Sequence, residues 1–446
     1  MKFIADLHIH SKYARACSKE LTLENIDAWC RIKGINIVSS ADFTHPKWFS
    51  EIKNKLTSSE HPGLYLVKSK ESPTKPPPIP SPKKPTLFLI GTEVACIYSH
   101  GGKVRRVHHC IFAPSLEVAD KINKAIEGRG GKLASDGRPI LGISSEDLLK
   151  ILLDIDERCV LIPAHIWTPW FAIFGSFSGY DNVQACFGDL AQHIFALETG
   201  LSSDPQMNWR KRELDNFALV SSSDAHSLPN LGREANIFEG EPQDLSYDAI
   251  MQAIKNSSSA KLSDSSFKPQ PPSLKMTGTI EFIPDEGRYH YDGHRACKTS
   301  LHPHETKKLG GICPKCKKKV TIGVLSRVEE LADLPHDRRP KAHPNFYNLV
   351  EFDKLIAEAE GVQSRTSKAV DRQYWEFLKN GGSEIDILLN FNKQKLAEFC
   401  PPIVVEAIIR MREGKLAVTP GYDGEYGKIK MFSDSERKKL QQTKLF

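Results

Sequence analysis

Residues 5–10 read ADLHIH, and this alternation constrains the chain more than any other feature. Residues two apart on a β-strand point to the same side. Asp6, His8 and His10 are therefore expected to project together from the end of a strand over Lys2–His8. Three such groups in five residues make either a polar edge strand or one wall of a metal site. The rest of the sequence favours the second. Asp42 and His45 follow a later apolar run (SSADFTH), Glu93 the next (LIGTEV), and His108 and His109 lie in a fourth (VRRVHHCIF). His165 ends LIPAHIW, and Asp224 and His226 end VSSSDAH. Singly, each fits a satisfied core or surface residue. Together, one acid or histidine at nearly every strand end is what a multinuclear centre needs. Neutral imidazoles and carboxylates suit Zn²⁺ or Mn²⁺, and Glu93 is placed to bridge two ions.

The framework around these residues alternates strands and amphipathic helices as far as about Lys261. Further strands are expected at Ile35–Ser39, Thr86–Ile90, Val107–Phe112, Val160–Ala164, Ile194–Glu198 and Ala218–Ser221, with helices such as Glu24–Ile32 and Ser144–Leu153 between them. Repeated βα units argue for a parallel sheet or barrel, an α/β fold. Ser69–Pro85 is Pro/Lys/Ser-rich and reads as a mobile surface insertion. A second Pro-rich stretch, Ser265–Ser273, closes the first domain. The expected division is a catalytic domain over 1–272, a basic zinc-binding module over 273–325, and a mainly helical domain over 326–446. Helices are expected there at Phe352–Glu360, Asp371–Lys379 and Ile403–Glu413, the last with Pro401–Pro402 at its start and Gly414 beyond its end.

Composition excludes several classes. With 40% apolar and 26% charged residues the chain reads as globular, and no apolar run approaches the roughly 20 residues of a membrane span. MKFIADLHIH lacks the apolar stretch of a signal peptide. Seven of the ten cysteines are scattered singly, which suits a reducing, cytoplasmic compartment. The net charge of +6 is uneven: residues 1–265 hold 30 Lys+Arg against 31 Asp+Glu, and residues 266–446 hold 31 against 24. A polyanionic partner would be drawn to the second part.

That part carries a second constellation. His294 and Cys297 (GHRAC) and Cys313 and Cys316 (CPKC) are paired with two intervening residues each, the spacing of a closed tetrahedral Zn²⁺ site. His290, His302 and His304 compete with His294 for the fourth place. CPKC also fits a redox motif, but no thioredoxin-like βαβ pattern surrounds it. Cations crowd the segment, Arg295, Lys317 and Lys318 among them, and would meet phosphates. After His165, the run IWTPWFAIFGSFSGY holds Trp167, Trp170, Phe171, Phe174, Phe177 and Tyr180. Either these rings pack in a buried helix, or Trp167 and Trp170 form a wall on which an unpaired base stacks, with Gly175–Gly179 as a hinge.

Paired ions activate a water and clamp the oxygens of a phosphoester without a serine or cysteine nucleophile. Asp224, His226 and Glu93 are the leading candidates for that chemistry. Arg233 (NLGREAN) is placed either to grip a phosphate bidentately or to form a surface ion pair.

The order HxH, DxxH, GxE, isolated histidines and a terminal DxH resembles the PHP superfamily of metallophosphoesterases. The resemblance implies a distorted (β/α)₇ barrel over roughly 1–265 with a trinuclear centre. His8, His10, Glu93 and Asp224 would hold one ion, Glu93, His109 and His165 a second, and His45 with His226 a third. Two features depart from the pattern: Phe43 and Thr44 separate Asp42 from His45, and SKYARACSKE lacks a further histidine. SKYARACSKE, DFTHP, SDGRPILG, AHIWTPWF, ETGLSSDP, SDAHS, GHRAC, GVLSRVEELAD and PGYDGEYG together resemble the endonuclease Q family. That likeness implies a DNA-repair endonuclease cutting 5′ to deaminated bases (hypoxanthine, uracil, xanthine) or abasic sites. It implies two or three divalent ions (Zn, Mn or Mg) in the barrel and one structural Zn. Its partner would be double- or single-stranded damaged DNA, with GEYGKIKMF open to a protein partner. A phosphatase of small phosphomonoesters would need neither the module nor the tail, and a DNA-binding module with a vestigial cluster would have lost ligands.

Overall fold

The computed structural model describes residues 1–68, 72–80, 82, 84–264, 266 and 274–442. The joint expected at Ser265–Ser273 lies, except for Ser266, outside these residues.

Eighteen short strands and fifteen α-helices form a mixed α/β fold among the described residues. The strands used below are β1 (Lys2–Asp6), β2 (Ile37–Ser39), β3 (Leu56–Ser58), β4 (Leu64–Val67), β5 (Leu87–Leu89), β6 (Gly91–His100), β7 (Lys103–Phe112), β8 (Ile140–Leu141) and β9 (Val160–Pro163). They continue with β10 (Ala196–Glu198), β11 (Ala218–Val220), β12 (Ala235–Glu239), β13 (Lys275–Glu281), β14 (Asp292–His294), β15 (Thr299–Leu301) and β16 (Asn345–Asn348). The largest sheet runs β16-β13-β12-β1-β2-β5-β4-β3, a second runs β8-β6-β7-β9, and β10 pairs with β11. The β1–β2, β2–β5 and β10–β11 pairs are parallel, as repeated βα units predict.

Two departures from a parallel arrangement matter. β6 and β7 form a long antiparallel hairpin, turning at Gly101 and Gly102 with φ of 59° and 72°. Sequence reading missed β6 because its residues, Gly91–His100, alternate without the β-branched run that marks a buried strand. β12 also runs antiparallel to both its neighbours, β1 and β13. β13 and β16 lie in the same sheet as β1, so the boundary expected at 272 and the helical unit expected from 326 both cut a sheet.

One hydrophobic cluster joins the first part of the chain to the C-terminal helices, from Ile4 and Trp29 through Phe352, Phe377 and Ile403. Those helices form where expected, at Phe352–Glu360, Lys368–Gly381 and Pro402–Arg412. Leu23–Lys33 shows why its ends are set: Thr22 accepts from the Asn25 N–H, and Gly34 closes the helix at φ 87°. A Cβ on Gly34 would lie 2.6 Å from Ser383 Oγ, so glycine also permits the close approach of the helical part. Lys33 reaches across this seam to Glu384 (2.8 Å), which Tyr374 OH also binds (2.5 Å).

The described part of the Ser69–Pro85 insertion lies against the Leu23–Lys33 helix. Asn25 donates to Thr74 Oγ1 and accepts from the Lys75 N–H (3.1 and 2.9 Å), and Trp29 Nε1 donates to Lys75 O (3.4 Å). The C-terminal GEYG turn is likewise occupied. Asp423 accepts from Thr321 Oγ1 and Arg295 N (both 2.6 Å), and the Gly424 and Gly427 N–H groups donate to Arg288 O and Glu286 O. The backbone of the turn is thus tied to the His/Cys-rich segment, while the side chains of Tyr426 and Lys428 stay exposed. Among the described residues no helix is long and apolar enough to cross a membrane.

Candidate metal centre

The chain builds the centre by laying two strand ends side by side. Beyond β1, Asp224 N donates to His8 O (2.8 Å) and His10 N to Ala225 O (3.1 Å), a parallel bridge between the ADLHIH and SSSDAH segments. Asp6 does not join its neighbours at the centre. Buried, it accepts from Ser223 N and Oγ and from Gly232 N, and so fixes the turn that presents Asp224. Asp224 and His165 both adopt left-handed backbone, φ 45° and 30°, the kind of strain that persists where function over-determines geometry. Gly200 makes room for His165: a Cβ there would sit 2.5 Å from the His165 Cβ.

His8 and His10 are oriented from behind. His8 Nδ1 donates to both oxygens of Glu198 (3.1 and 3.0 Å), which also accepts the His165 N–H (2.9 Å). His10 Nδ1 donates to Asp42 Oδ1 (3.0 Å), and Asp42 Oδ2 accepts from Ser11 N and Oγ. A carboxylate on one imidazole nitrogen fixes the tautomer and frees the other nitrogen as a ligand. Both freed Nε2 atoms converge on Glu93 Oε2 (3.5 and 3.2 Å) and Asp224 Oδ1 (3.9 and 3.1 Å). These two nitrogens and Asp224 Oδ1 are buried without a hydrogen-bond partner. Orphaned polar atoms converging on one point fit a bound cation.

Glu93 belongs to two donor groups, His8–His10–Glu93–Asp224 and Glu93–His108–His165. Its Oε1 lies 2.7 Å from His108 Nδ1 and 3.1 Å from His165 Nε2. Its Oε2 accepts from Arg138 Nη1 (3.0 Å). Burial alone would raise the Glu93 carboxyl, but His108, Arg138 and His8 outweigh it and hold it well below the ordinary range. Burial pushes His108 down to about 4, against the pull of the Glu93 carboxylate.

The expected His109 ligand is corrected to His108. On β7 alternate residues face opposite sides, and His109 points away, hydrogen-bonded to Ser145 Oγ (2.8 Å) and packed on Phe187. Of His45 and His226, expected to hold a third ion, neither joins a group of three or more close donors among the described residues. His45 precedes the Pro46–Lys55 helix without a side-chain capping bond, leaves Nδ1 buried and unpartnered, and stacks on Tyr13 at 4.5 Å. His226 donates from Nδ1 to Asp224 O (2.9 Å) and lies edge-on to His10 at 4.7 Å. Arg233 does not offer the expected bidentate grip, because Nε and Nη2 are directed at Ser223 O and Asp224 O (2.8 and 3.4 Å). Arg138, in SDGRPILG, is the arginine at the centre. Sequence reading missed it and Glu198, although Glu198 ends a strand as the other donors do. Cys110 lies beside His8 and Glu198, but burial pushes its thiol up to about 12, so it packs as a neutral group.

The second constellation also closes. His294, Cys297, Cys313 and Cys316 place one donor atom each within 4.8 Å of one another. The β14–β15 hairpin carries the first pair, and Leu301, Cys313 and Val320 form a small core beneath. The competing histidines are engaged elsewhere: His290 faces Asp285 (3.6 Å), and His302 caps the Pro303–Lys308 helix that includes His304. Arg295, Lys317 and Lys318 are exposed around this group. The double replacement Cys313→Ser/Cys316→Ser is expected to lower bound zinc by one equivalent, measured by atomic emission. Unchanged zinc content would rule out a thiolate site.

The aromatic segment after His165 is a series of turns rather than a helix. Trp167 is core, 1% exposed, with Nε1 donating to Asn208 Oδ1 (2.8 Å). This corrects its expected role as a stacking surface. Trp170 is half-buried and stacks in parallel on Phe177 at 4.7 Å and 4°; Phe177 is 50% exposed. The Gly175–Gly179 turn, expected to be a hinge, is tied on both sides. Arg327 donates to Phe174 O and Tyr180 O at either side of it, and Ser176 Oγ donates to Ile322 O. Phe171 lies on His108 (4.6 Å) and accepts its N–H, so this segment rests directly on the donor cluster.

Residues 352–415 match the family described as the MJ0043 C-terminal domain. The uncharacterized protein MJ0043 of Methanocaldococcus jannaschii is 34% identical over 269 residues, 59% of this chain but 31% of that protein, so this chain spans under a third of it. The uncharacterized protein YqxK of Bacillus subtilis is 25% identical over 96% of this chain and 99% of its own length. Among solved structures, the lesion-specific endonuclease PfuEndoQ from Pyrococcus furiosus superposes with a TM-score of 0.81 at 28% identity, over 100% of this chain and 99% of that one. Endonuclease Q bound to a 27-mer duplex with an abasic lesion at its active site gives 0.81 at 29% identity, over 97% of this chain and 98% of that one. In sequence and in fold alike, the chain resembles endonuclease Q over its full length.

Proposed function

We propose that this chain is a metal-dependent endonuclease that hydrolyses the phosphodiester 5′ to a deaminated base or an abasic site in DNA. The observation that carries this reading is Glu93 shared by two donor groups, in a chain that matches from end to end a protein bound to lesion-bearing duplex. The donor sets, neutral imidazoles and carboxylates, suit two Zn²⁺ or Mn²⁺ ions in a PHP-type barrel, and His294 with three cysteines suits one structural Zn²⁺. Bound divalent ions would supply an activated water and neutralise the phosphoryl oxygens.

The residues of the chain do the rest. Glu198 and Asp42 hold His8 and His10 in the ligating orientation. Arg138 keeps a guanidinium beside Glu93, where negative charge develops on the phosphoryl group. Trp170 and Phe177 offer a stacking face on the segment whose Phe171 rests on His108, while Arg295, Lys317 and Lys318 meet the backbone. The test is incubation of end-labelled duplexes carrying uracil, hypoxanthine, xanthine, an abasic site or no lesion, with Mg²⁺ or Mn²⁺. A single nick 5′ to the lesion is expected. Equal nicking of undamaged duplex, or turnover of small phosphomonoesters alone, would overturn the reading.

A further inference from the structure

Behind the donor cluster lies a pair of acids that the proposed chemistry does not use. β12 and β13 are antiparallel with Ala235 opposite Ile280, and continuing that register by one residue sets Glu234 opposite Glu281. Directly opposed side chains have Cβ atoms about 4.5–5.5 Å apart, and like charges so placed repel. Both residues are fully buried. Glu234 Oε1 accepts the Phe282 N–H (3.0 Å) and Glu281 Oε2 accepts from Thr199 Oγ1 (2.9 Å), with the Thr279 and Ser221 hydroxyls also against Glu281. Each has one oxygen left over, Glu234 Oε2 and Glu281 Oε1, buried without a partner. Two facing ionised carboxylates cannot be retained in such a place, whereas a proton between the spare oxygens satisfies both.

We infer that Glu234 and Glu281 share one proton in a carboxyl–carboxyl hydrogen bond, and that this proton fastens the two turns presenting His8 and Asp224. The fastening is traceable. Glu281 holds Thr199, the neighbour of the Glu198 that orients His8. Glu234 follows Arg233, whose guanidinium clamps Ser223 O and Asp224 O. Ser221, three residues before Asp224, donates from Oγ to Ile280 O and from N to Asn236 Oδ1 on the same two strands. Glu234 and Glu281 are thus positioning residues, and the inference rests on reading His8 and Asp224 as ligands.

The charged groups around the pair are Glu198 at the end of β10, Asp204 on the segment after it, and Arg233 before β12. Burial pushes Glu281 up to about 8, and burial with the facing Glu281 pushes Glu234 well above the ordinary range. A raised carboxyl binds a proton in the fold that the unfolded chain has already released. Stability therefore falls as pH rises from the usual glutamate value through about 8. Glutamine keeps the shape and supplies the missing N–H, so Glu281→Gln or Glu234→Gln replaces the shared proton permanently.

Thermal unfolding and bound-metal content are to be measured between pH 6 and pH 9.5 for the wild type and both glutamine variants, with infrared spectra at neutral pH. The wild type should lose a few degrees of melting temperature and shed barrel metal toward the alkaline end, while a variant stays flat over the same window. The wild type should also show a protonated-carboxyl band that either variant lacks. Should one variant fail to fold, the other and the infrared band decide. Parallel pH curves, or no such band, would overturn the inference. None of these readouts uses DNA, so failure of the endonuclease reading is seen separately, in the duplex assay.

Discussion

Asp224→Ala is expected to lower cleavage of a lesion-bearing duplex by at least about 10²–10³-fold, as removal of a group that stabilises developing charge does. DNA binding should stay within a few-fold, because affinity rests on phosphate contacts elsewhere. The structure supports the separation of the two effects. Asp224 Oδ1 is buried against His10 Nε2, and His10 holds the carboxyl well below its usual range despite burial, so the group is an anion aimed inward. The cations that would meet DNA are exposed and lie around the second constellation. Parallel loss of binding and cleavage would remove Asp224 from the centre. The same assay, with metal content, separates two neighbours. His108→Ala should lose metal, whereas His109→Ala should keep it and lose only the stability of its bond to Ser145.

That pair shows what the sequence could and could not reveal. VRRVHHCIF marks a strand with two histidines, and period-2 alternation says that only one of them faces the centre. Which one depends on the register of β7 against β6 and β9, a tertiary fact. His8, His10, Glu93, His165 and Asp224 were legible because a strand end has one direction and each donor closes an apolar run. Arg138 was not, because it lies in a bend of SDGRPILG with no periodic pattern around it. Arg233 was misjudged for a related reason. Its position after SDAH is what a phosphate-binding arginine would have, but the carbonyls of the same turn are nearer. The domain boundary erred because a Pro-rich joint interrupts the chain without interrupting the sheet: β13, just past it, pairs with β12. Fold class and helix ends were readable from caps and periodicity, since those signals are local.

The aromatic segment gives the second large effect, because its rings divide cleanly by burial. Trp167 is packed on Phe174 at 4.9 Å and bound to Asn208, so Trp167→Ala opens a cavity and strands a buried amide oxygen. A change of that kind costs roughly 3–5 kcal/mol of stability. The melting temperature should fall steeply while the ratio of lesion to undamaged affinity is unchanged. Phe177 is the opposite case. Half of it is exposed, and its outer face is free to stack because Trp170 backs the inner one. Phe177→Ala should leave unfolding nearly unchanged and cost roughly 1–3 kcal/mol of binding at a lesion. On undamaged duplex the cost should be far smaller, since a base leaves the helix most cheaply where pairing is already lost. Trp170→Ala should combine the two effects, losing some stability and the backing of Phe177. Equilibrium binding to abasic and intact duplexes, measured beside thermal unfolding for the three variants, decides the matter. If Phe177→Ala leaves the affinity ratio intact, the stacked pair belongs to the surface packing of the fold and lesion recognition lies elsewhere.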